Sequence, residues 1–69
     1  MKIIAVNIKR MRKEMKLSQE DLAKKLQVTQ PMIASIESGR KNPSVAMCYD
    51  IAKIFKCPIS ELFEKKTKS

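Results

Sequence analysis

The chain contains no histidine, no tryptophan and a single glycine. Histidine is the commonest general base in enzymes, and phosphate-binding loops need several glycines, so neither kind of catalytic site is supported. Cys48 and Cys57 lack the paired spacing of a zinc site, and no histidine is present to complete one. We therefore expect no enzyme activity, no metal, no cofactor and no small-molecule ligand. The two cysteines should be small buried hydrophobic residues rather than disulfide partners.

Long apolar runs are also absent, so no membrane-spanning helix is predicted, and residues 3–6 are too short for the core of a secretory signal. Seven acidic residues stand against 15 basic ones, which gives a formal charge of +8. Such an imbalance attracts polyanions through phosphate contacts and counterion release, although a merely solubilising surface would look the same. A length of 69 residues leaves room for one small domain. We expect a single cytoplasmic domain over residues 1–69.

Residues 18–38 predict two short amphipathic helices joined by a tight turn. Ser18 can cap the first helix, and Asp21 stands at the acidic position of a capping box. Residues 27–29 separate the two helices, and Gly39 ends the second. Two such helices cannot bury both apolar faces alone, so flanking helices must complete the core. The inward positions at helical spacing are Leu22, Ala23, Leu26, Ile33 and Ile36.

The segment before Ser18 predicts a helix with a basic outer face over an apolar stripe. Asn7 is a good cap, and this helix should run to about Lys16. Residues 2–6 are apolar enough to form either a short strand or an extension of the helix, and the sequence does not decide between them. The side chains expected to face inward are Ile8, Met11, Met15 and Leu17.

The segment after Gly39 predicts two more helices. Residues 42–44 are typical of a turn followed by a cap, so a helix should occupy residues 45–55. Pro58 blocks its continuation, and Ser60 would cap a last short helix, after which residues 64–69 should fray. The apolar residues expected on these helices are Val45, Cys48, Ile51, Ala52 and Phe55 facing the core, with Leu62 and Phe63 in the last helix.

A family resemblance rests on residues 17–44, which read LSQEDLAKKLQVTQPMIASIESGRKNPS. This segment resembles the helix-turn-helix of the phage-repressor and Cro superfamily, also called the xenobiotic-response-element type. The shared features are the Ser-Gln opening, the Leu-Ala pair, the Ile-x-x-Ile-Glu-x-Gly end, Asn-Pro-Ser, and the later Ile-Ser-Glu-Leu-Phe. The resemblance extends over about residues 7–63. It implies an all-α, five-helix lambda-repressor-like fold and a transcriptional regulator that binds double-stranded DNA.

One position departs from the family pattern. Many members carry glycine in the turn where this chain has Gln27. A left-handed backbone at that position would cost a residue with a side chain about 1 kcal/mol, which a packed domain can absorb.

In a helix-turn-helix, the N-terminal residues of the second helix meet base edges in the major groove. Gln30 is the best candidate reader, because its amide matches the donor and acceptor pattern of adenine. Pro31 disfavours helical geometry at Gln30, so either Thr29 or Gln30 is the cap. If Gln30 is the cap, base reading shifts toward Met32, which can touch a thymine methyl, and Ser35. The full set of predicted base contacts is Gln30, Pro31, Met32, Ala34 and Ser35.

The resemblance also implies roles outside the reading helix. It places Gln19 against the DNA backbone and close enough to brace Gln30, and it implies a structural ion pair between Arg12 and Glu37. A basic loop after the reading helix would lie along the phosphates, which positions a protein without specifying sequence. The predicted backbone contacts are Ser18, Gln19, Thr29, Arg40, Lys41 and Asn42.

One such domain reaches only one half-site, so we expect a homodimer on a palindromic operator. Residues 3–4 could pair across the two-fold axis. A repressor is the simplest function, and the alternative is an antitoxin or controller-type protein that uses the same fold as an interaction module. The side chains that look too apolar for solvent, and so predict the dimer interface, are Met47, Tyr49, Ile54 and Phe63.

Overall fold

A computed structural model describes residues 2–65, which form four α-helices and one 3₁₀ helix. No strand occurs in this part of the chain. The all-α class is confirmed, whereas the strand alternative for residues 2–6 is wrong and the expected fifth α-helix is a 3₁₀ helix. Residues 66–69 of the predicted tail lie outside the described residues. The elements are α1 (Ile3–Glu14), α2 (Gln19–Leu26), α3 (Gln30–Glu37), α4 (Val45–Phe55) and the 3₁₀ helix (Ile59–Phe63).

The first helix begins four residues earlier than Asn7, the cap that its sequence suggests. Lys2 is the N-cap of α1, and Asn7 lies inside the helix, where it is buried. The side-chain amide nitrogen of Asn7 has two hydrogens. It lies within hydrogen-bonding distance of three backbone carbonyl oxygens at the end of the domain. The prediction of Asn7 as a cap was wrong, because its side chain instead donates to carbonyls at the end of the 3₁₀ helix, where backbone partners are few. The distances from Asn7 Nδ2 are 3.3 Å to Glu61, 2.9 Å to Leu62 and 2.8 Å to Glu64.

The end of α1 also differs from expectation. The helix stops at Glu14, and Lys16 takes a left-handed backbone with φ of 59°. Met15 is therefore turned away from the core and is 42% exposed, although its spacing predicted an inward position. Leu17 is half-buried. The reversal brings the chain directly to the start of α2.

The second helix has the predicted capping box. Ser18 Oγ accepts from the Asp21 amide at 2.9 Å, and Asp21 Oδ2 accepts from the Ser18 amide at 3.0 Å. These hydrogen bonds favour the charged carboxylate and lower the pKa of Asp21. At the other end, Gln27 has φ of 58°, so the left-handed conformation considered for this turn residue is present. Both ends of α2 are thus set by local sequence.

The core receives at least one fully buried side chain from every helical element. Among its largest members, α3 supplies two, and each of the other elements supplies one. Therefore α1, α4 and the 3₁₀ helix pack against the helix-turn-helix and complete its core, as the apolar spacing predicted. Within residues 2–65, no helix is both long and apolar enough to cross a bilayer. The largest fully buried side chains are Ile8, Leu22, Ile33, Ile36, Ile51 and Leu62.

Two expectations for the C-terminal half are wrong. Val45 is 71% exposed, because it stands in the first turn of α4, beyond the end of the buried stripe that begins at Cys48. Ser60 does not cap the last helix, which begins at Ile59 immediately after Pro58. Proline cannot donate a backbone hydrogen bond and favours an extended backbone, so it suits the position just before a helix.

The two cysteines are free thiols, with Cys48 buried and Cys57 half-buried. Burial raises the pKa of both thiols, and the nearby Glu61 carboxylate adds to the rise at Cys57. Residues 2–65 bring together no group of three acidic, histidine or cysteine side chains that could hold a metal ion.

Candidate nucleic-acid interface

The turn between α2 and α3 presents the start of α3 to solvent. Thr29 is the N-cap by backbone geometry, with φ of −88° and ψ of 156°, and its hydroxyl makes no capping hydrogen bond. Gln30 and Pro31 therefore occupy the first two positions of α3, where a missing amide hydrogen costs nothing. Both are exposed. Thr29, and not Gln30, is therefore the cap of α3. The side-chain amide of Gln30 is not used to cap the helix.

The predicted base contacts after Gln30 and Pro31 are less exposed. Met32 is half-buried and packs against the core, and Ala34 and Ser35 are also half-buried. The Ser35 carbonyl accepts from the hydroxyl of Ser38 at 3.0 Å. The exposed tip of α3 is thus formed mainly by Gln30 and Pro31.

A basic loop is tied to the far end of the same helix. Gly39 has φ of 82°, a left-handed conformation that glycine adopts without strain, and it turns the chain back over α3. The amides of Arg40 and Lys41 both donate to the Ser35 carbonyl, at 3.0 and 3.2 Å. The side chains of Arg40, Lys41 and Asn42 are exposed. Backbone bonds therefore fix the position of the loop relative to α3.

A buried polar network joins α1, the start of α2 and the end of α3. Arg12 Nε donates to Glu37 Oε2 at 2.6 Å, and Arg12 Nη2 donates to Glu37 Oε1 at 3.1 Å. Arg12 Nη1 also donates to the Leu17 carbonyl at 2.6 Å. The two charged residues are only 7% and 3% exposed. The ion pair that the resemblance implied is present, and its charges are paired in a bidentate arrangement.

Gln19 belongs to this network rather than to the tip of α3. Its Nε2 donates to Glu37 Oε1 at 3.1 Å, so Gln19 braces Glu37 instead of Gln30 as the resemblance implied. A carboxylate is a stronger acceptor than a neutral amide, which explains the choice of partner. Because Glu37 can only accept, the Gln19 amide group must present its nitrogen to it.

The predicted dimer residues fall into two groups. Tyr49 and Phe63 are 56% and 55% exposed, whereas Met47 and Ile54 are half-buried and pack against the core. Met47 and Ile54 therefore offer little free surface.

Two more residues complete an apolar face with Tyr49 and Phe63, namely Val45, which was predicted to face the core, and Ile59, to which the sequence assigned no role. Two neighbouring surface depressions share Ile59. Tyr49 also lines the first. Phe63 and the exposed Val45 line the second, which has a volume of about 380 Å³. Val45 lies one turn before Tyr49 on α4, a helical spacing that could have revealed it. We call Val45, Tyr49, Ile59 and Phe63 the apolar face.

Comparison with known proteins places this geometry in a family. A helix-turn-helix family model, HTH_3, matches residues 8–62. An uncharacterised HTH-type transcriptional regulator from Archaeoglobus fulgidus is 38% identical over 56 residues, which cover 81% of this chain and 79% of that protein. Another such regulator, from Methanocaldococcus jannaschii, is 47% identical over 47 residues, or 68% of this chain and 71% of that protein.

A solved structure has the same fold. The crystal structure of an HTH_3 family transcriptional regulator from Vibrio cholerae matches with a TM-score of 0.78 and 31% identity over 88% of this chain. The chain spans 34% of that protein, so the similarity concerns the helix-turn-helix domain. The family match, the similar relatives and the arrangement of α2 and α3 show that the chain belongs to the HTH_3 helix-turn-helix family. This is the phage-repressor and Cro-like type of DNA-binding transcriptional regulator.

Proposed function

We propose that the chain is a sequence-specific, cytoplasmic transcriptional repressor that binds double-stranded DNA as a homodimer. The observation that carries this proposal is the exposed start of α3, where the side-chain amide of Gln30 is free. The loop bonded to the other end of α3 carries the basic residues Arg40 and Lys41. A repressor of this kind acts by occupying a promoter. The formal charge of +8 supplies the attraction to DNA.

Base reading is assigned to the front of α3 in the major groove. The Gln30 amide can donate to N7 and accept from the N6 amino group of adenine, a bidentate pairing that distinguishes this base. Pro31 and Met32 offer apolar contact to a thymine methyl, with Met32 the less exposed of the two. Ala34 and Ser35, which are half-buried, would approach the bases only along the edge of the helix.

Backbone contacts are assigned to the ends of the two helices. Arg40, Lys41 and Asn42 present exposed donors in a loop that is fixed to α3, which suits the positioning of a protein on phosphates. Ser18 and Thr29 are exposed at the starts of α2 and α3. The half-buried Gln19 keeps one amide hydrogen beyond the one it gives to Glu37, and this hydrogen is available for a phosphate.

Dimerisation is assigned to the apolar face. Its four side chains come from α4 and the 3₁₀ helix, and at least three of them are more than half exposed, at 71%, 56% and 55%. Two reading helices related by a two-fold axis would enter successive major grooves about 10 base pairs apart. The operator should therefore be an inverted repeat with that spacing.

Binding to duplex DNA should weaken steeply as salt rises. Each phosphate neutralised by a lysine or arginine is expected to add about 0.9 to the slope of log affinity against log salt concentration. The measurement is a fluorescence anisotropy titration at several salt concentrations, with an operator first selected from a random duplex pool. A slope near zero, or no enrichment of any sequence, would contradict the proposal.

Gln30→Ala should weaken binding to the selected operator by about 1–3 kcal/mol and binding to random DNA much less, with relaxed preference at one adenine. The matched comparison is Arg40→Ala, which should weaken binding to both DNAs about equally, because a phosphate contact carries little sequence information. Titrations with the operator, its single-base variants and random duplex distinguish the two patterns. If Gln30→Ala distinguishes the operator from random DNA as well as the parent does, base reading is assigned to Met32 or Ser35 instead.

A further inference from the structure

The Lys2 side chain bonds to the basic loop of residues 40–42, although Lys2 and its partner Asn42 are 40 positions apart in sequence. The Lys2 carbonyl accepts from the Val6 amide at 3.2 Å, which fixes its backbone as the N-cap of α1. Its aliphatic stem passes Gly39, since a Cβ placed on that glycine would lie 4.0 Å from Lys2 Cγ and Cδ. Its ammonium nitrogen then donates to Asn42 Oδ1 at 2.6 Å. The hydrogen bond to Asn42 and the passage of the stem beside Gly39 thus place the Lys2 side chain at the end of α3.

This contact determines what the pair can bind. The Lys2 ammonium uses one of its three hydrogens on Asn42 Oδ1, so the Asn42 amide keeps both hydrogens of Nδ2 for another acceptor. Both residues are exposed, so these donors are accessible. The ligand that fits is one with several acceptor oxygens and a negative charge, and a DNA phosphate has both properties.

We propose that Lys2 and Asn42 form one phosphate-binding clamp, in which Lys2 contacts the DNA backbone and also orients the Asn42 amide toward the same phosphate. The proposal rests on the proposed function, because it requires the loop of residues 40–42 to face DNA. An exposed contact of this kind contributes little to folding. Its loss should therefore change DNA binding while leaving the domain folded.

The test uses Lys2→Met with Lys9→Met as a matched control, in the full chain without an N-terminal extension. Each substitution removes one positive charge from an exposed, unbranched side chain. Lys9 is exposed on α1 and lines neither depression of the apolar face. In the proposed homodimer the substitution removes two phosphate contacts, one per protomer, and therefore about 1.8 from the salt slope, so the parent-to-variant affinity ratio for Lys2→Met should shrink about 12-fold when salt rises about fourfold. For Lys9→Met this ratio should stay nearly constant.

A double-mutant cycle tests the orienting role. If Lys2 orients Asn42, the loss of affinity in Lys2→Met combined with Asn42→Ala should be clearly smaller than the product of the two single losses. Losses that multiply would overturn this role. Thermal melting by circular dichroism should give the same midpoint for the parent, both single variants and the double variant, which shows that the affinities compare folded proteins.

The remaining outcomes separate this inference from the proposed function. A parent chain without salt-dependent DNA binding would overturn both. A parent that binds, with Arg40→Ala weakened and Lys2→Met indistinguishable from Lys9→Met, would overturn the clamp and leave the proposed function standing. A selective loss of salt dependence in Lys2→Met, together with losses that do not multiply in the cycle, would support it.

Discussion

Glu37→Ala should lower the free energy of unfolding by about 3–5 kcal/mol, a large fraction of the total for a domain of this size. Arg12 is 7% exposed in the parent, and the substitution leaves its guanidinium with no carboxylate beside it and removes the acceptor of Gln19. An unpaired buried charge is costly because water no longer solvates it. Urea unfolding followed by circular dichroism measures the loss.

An exposed ion pair in the same protein provides the matched control. Arg10 Nη1 lies 3.2 Å from Glu14 Oε2 one turn apart on α1, and the Glu14 side chain is 64% exposed. Glu14→Ala should therefore change stability by only about 0.5 kcal/mol or less. A similar effect for Glu14→Ala and Glu37→Ala would show that burial does not decide the strength of these pairs.

Removing both buried charges should restore much of the stability. Arg12→Met combined with Glu37→Leu replaces the pair by apolar side chains of similar size, an exchange that often leaves stability unchanged or raises it. The double variant should be clearly more stable than either single variant, Arg12→Met or Glu37→Leu, so the single effects should not add. Additive losses would contradict the view that the penalty comes from leaving one charge unpaired.

Phe63→Glu should produce a folded monomer whose affinity for the operator falls about a thousandfold or more, toward the level of nonspecific binding. Phe63 is 55% exposed on the apolar face, so a carboxylate there stays hydrated in the monomer and would have to be desolvated in a dimer. A monomer engages one half-site at a time, and therefore loses the second set of contacts. Sedimentation equilibrium reports the oligomeric state, and titration reports the affinity.

Two further substitutions test whether the apolar face is the interface. Val45→Glu should act like Phe63→Glu, because Val45 is 71% exposed and lines the same depression. Val6→Glu is the control, since Val6 is 44% exposed on α1 and lines neither depression of the apolar face. Ile54 is unsuitable for this purpose, because it packs against the core and a charge there would destabilise the fold. A folded Phe63→Glu monomer that bound the operator as tightly as the parent would show the dimer proposal to be wrong.

Local signals in the sequence specified the helix-turn-helix itself. The capping box of Ser18 and Asp21 begins α2, Gln27 ends it in a left-handed conformation, and residues 45–55 form α4 as predicted. The buried side chains of α2 and α3 also follow from apolar spacing. These features were predictable because each depends on groups within one or two helical turns of each other.

The tertiary structure decided the features whose partners are far apart in the chain. Asn7 carries the local signal of a cap, yet it donates to carbonyls 54 to 57 positions away. Lys2 bonds Asn42 across 40 positions, and Gln19 braces Glu37 across 18.

Val45 has the spacing of a core residue but lies beyond the end of the buried stripe. Sequence spacing fixes which helical face a residue occupies. Only the packing of the helices determines what lies opposite that face, and therefore which donor meets which acceptor and which apolar side chain remains in water.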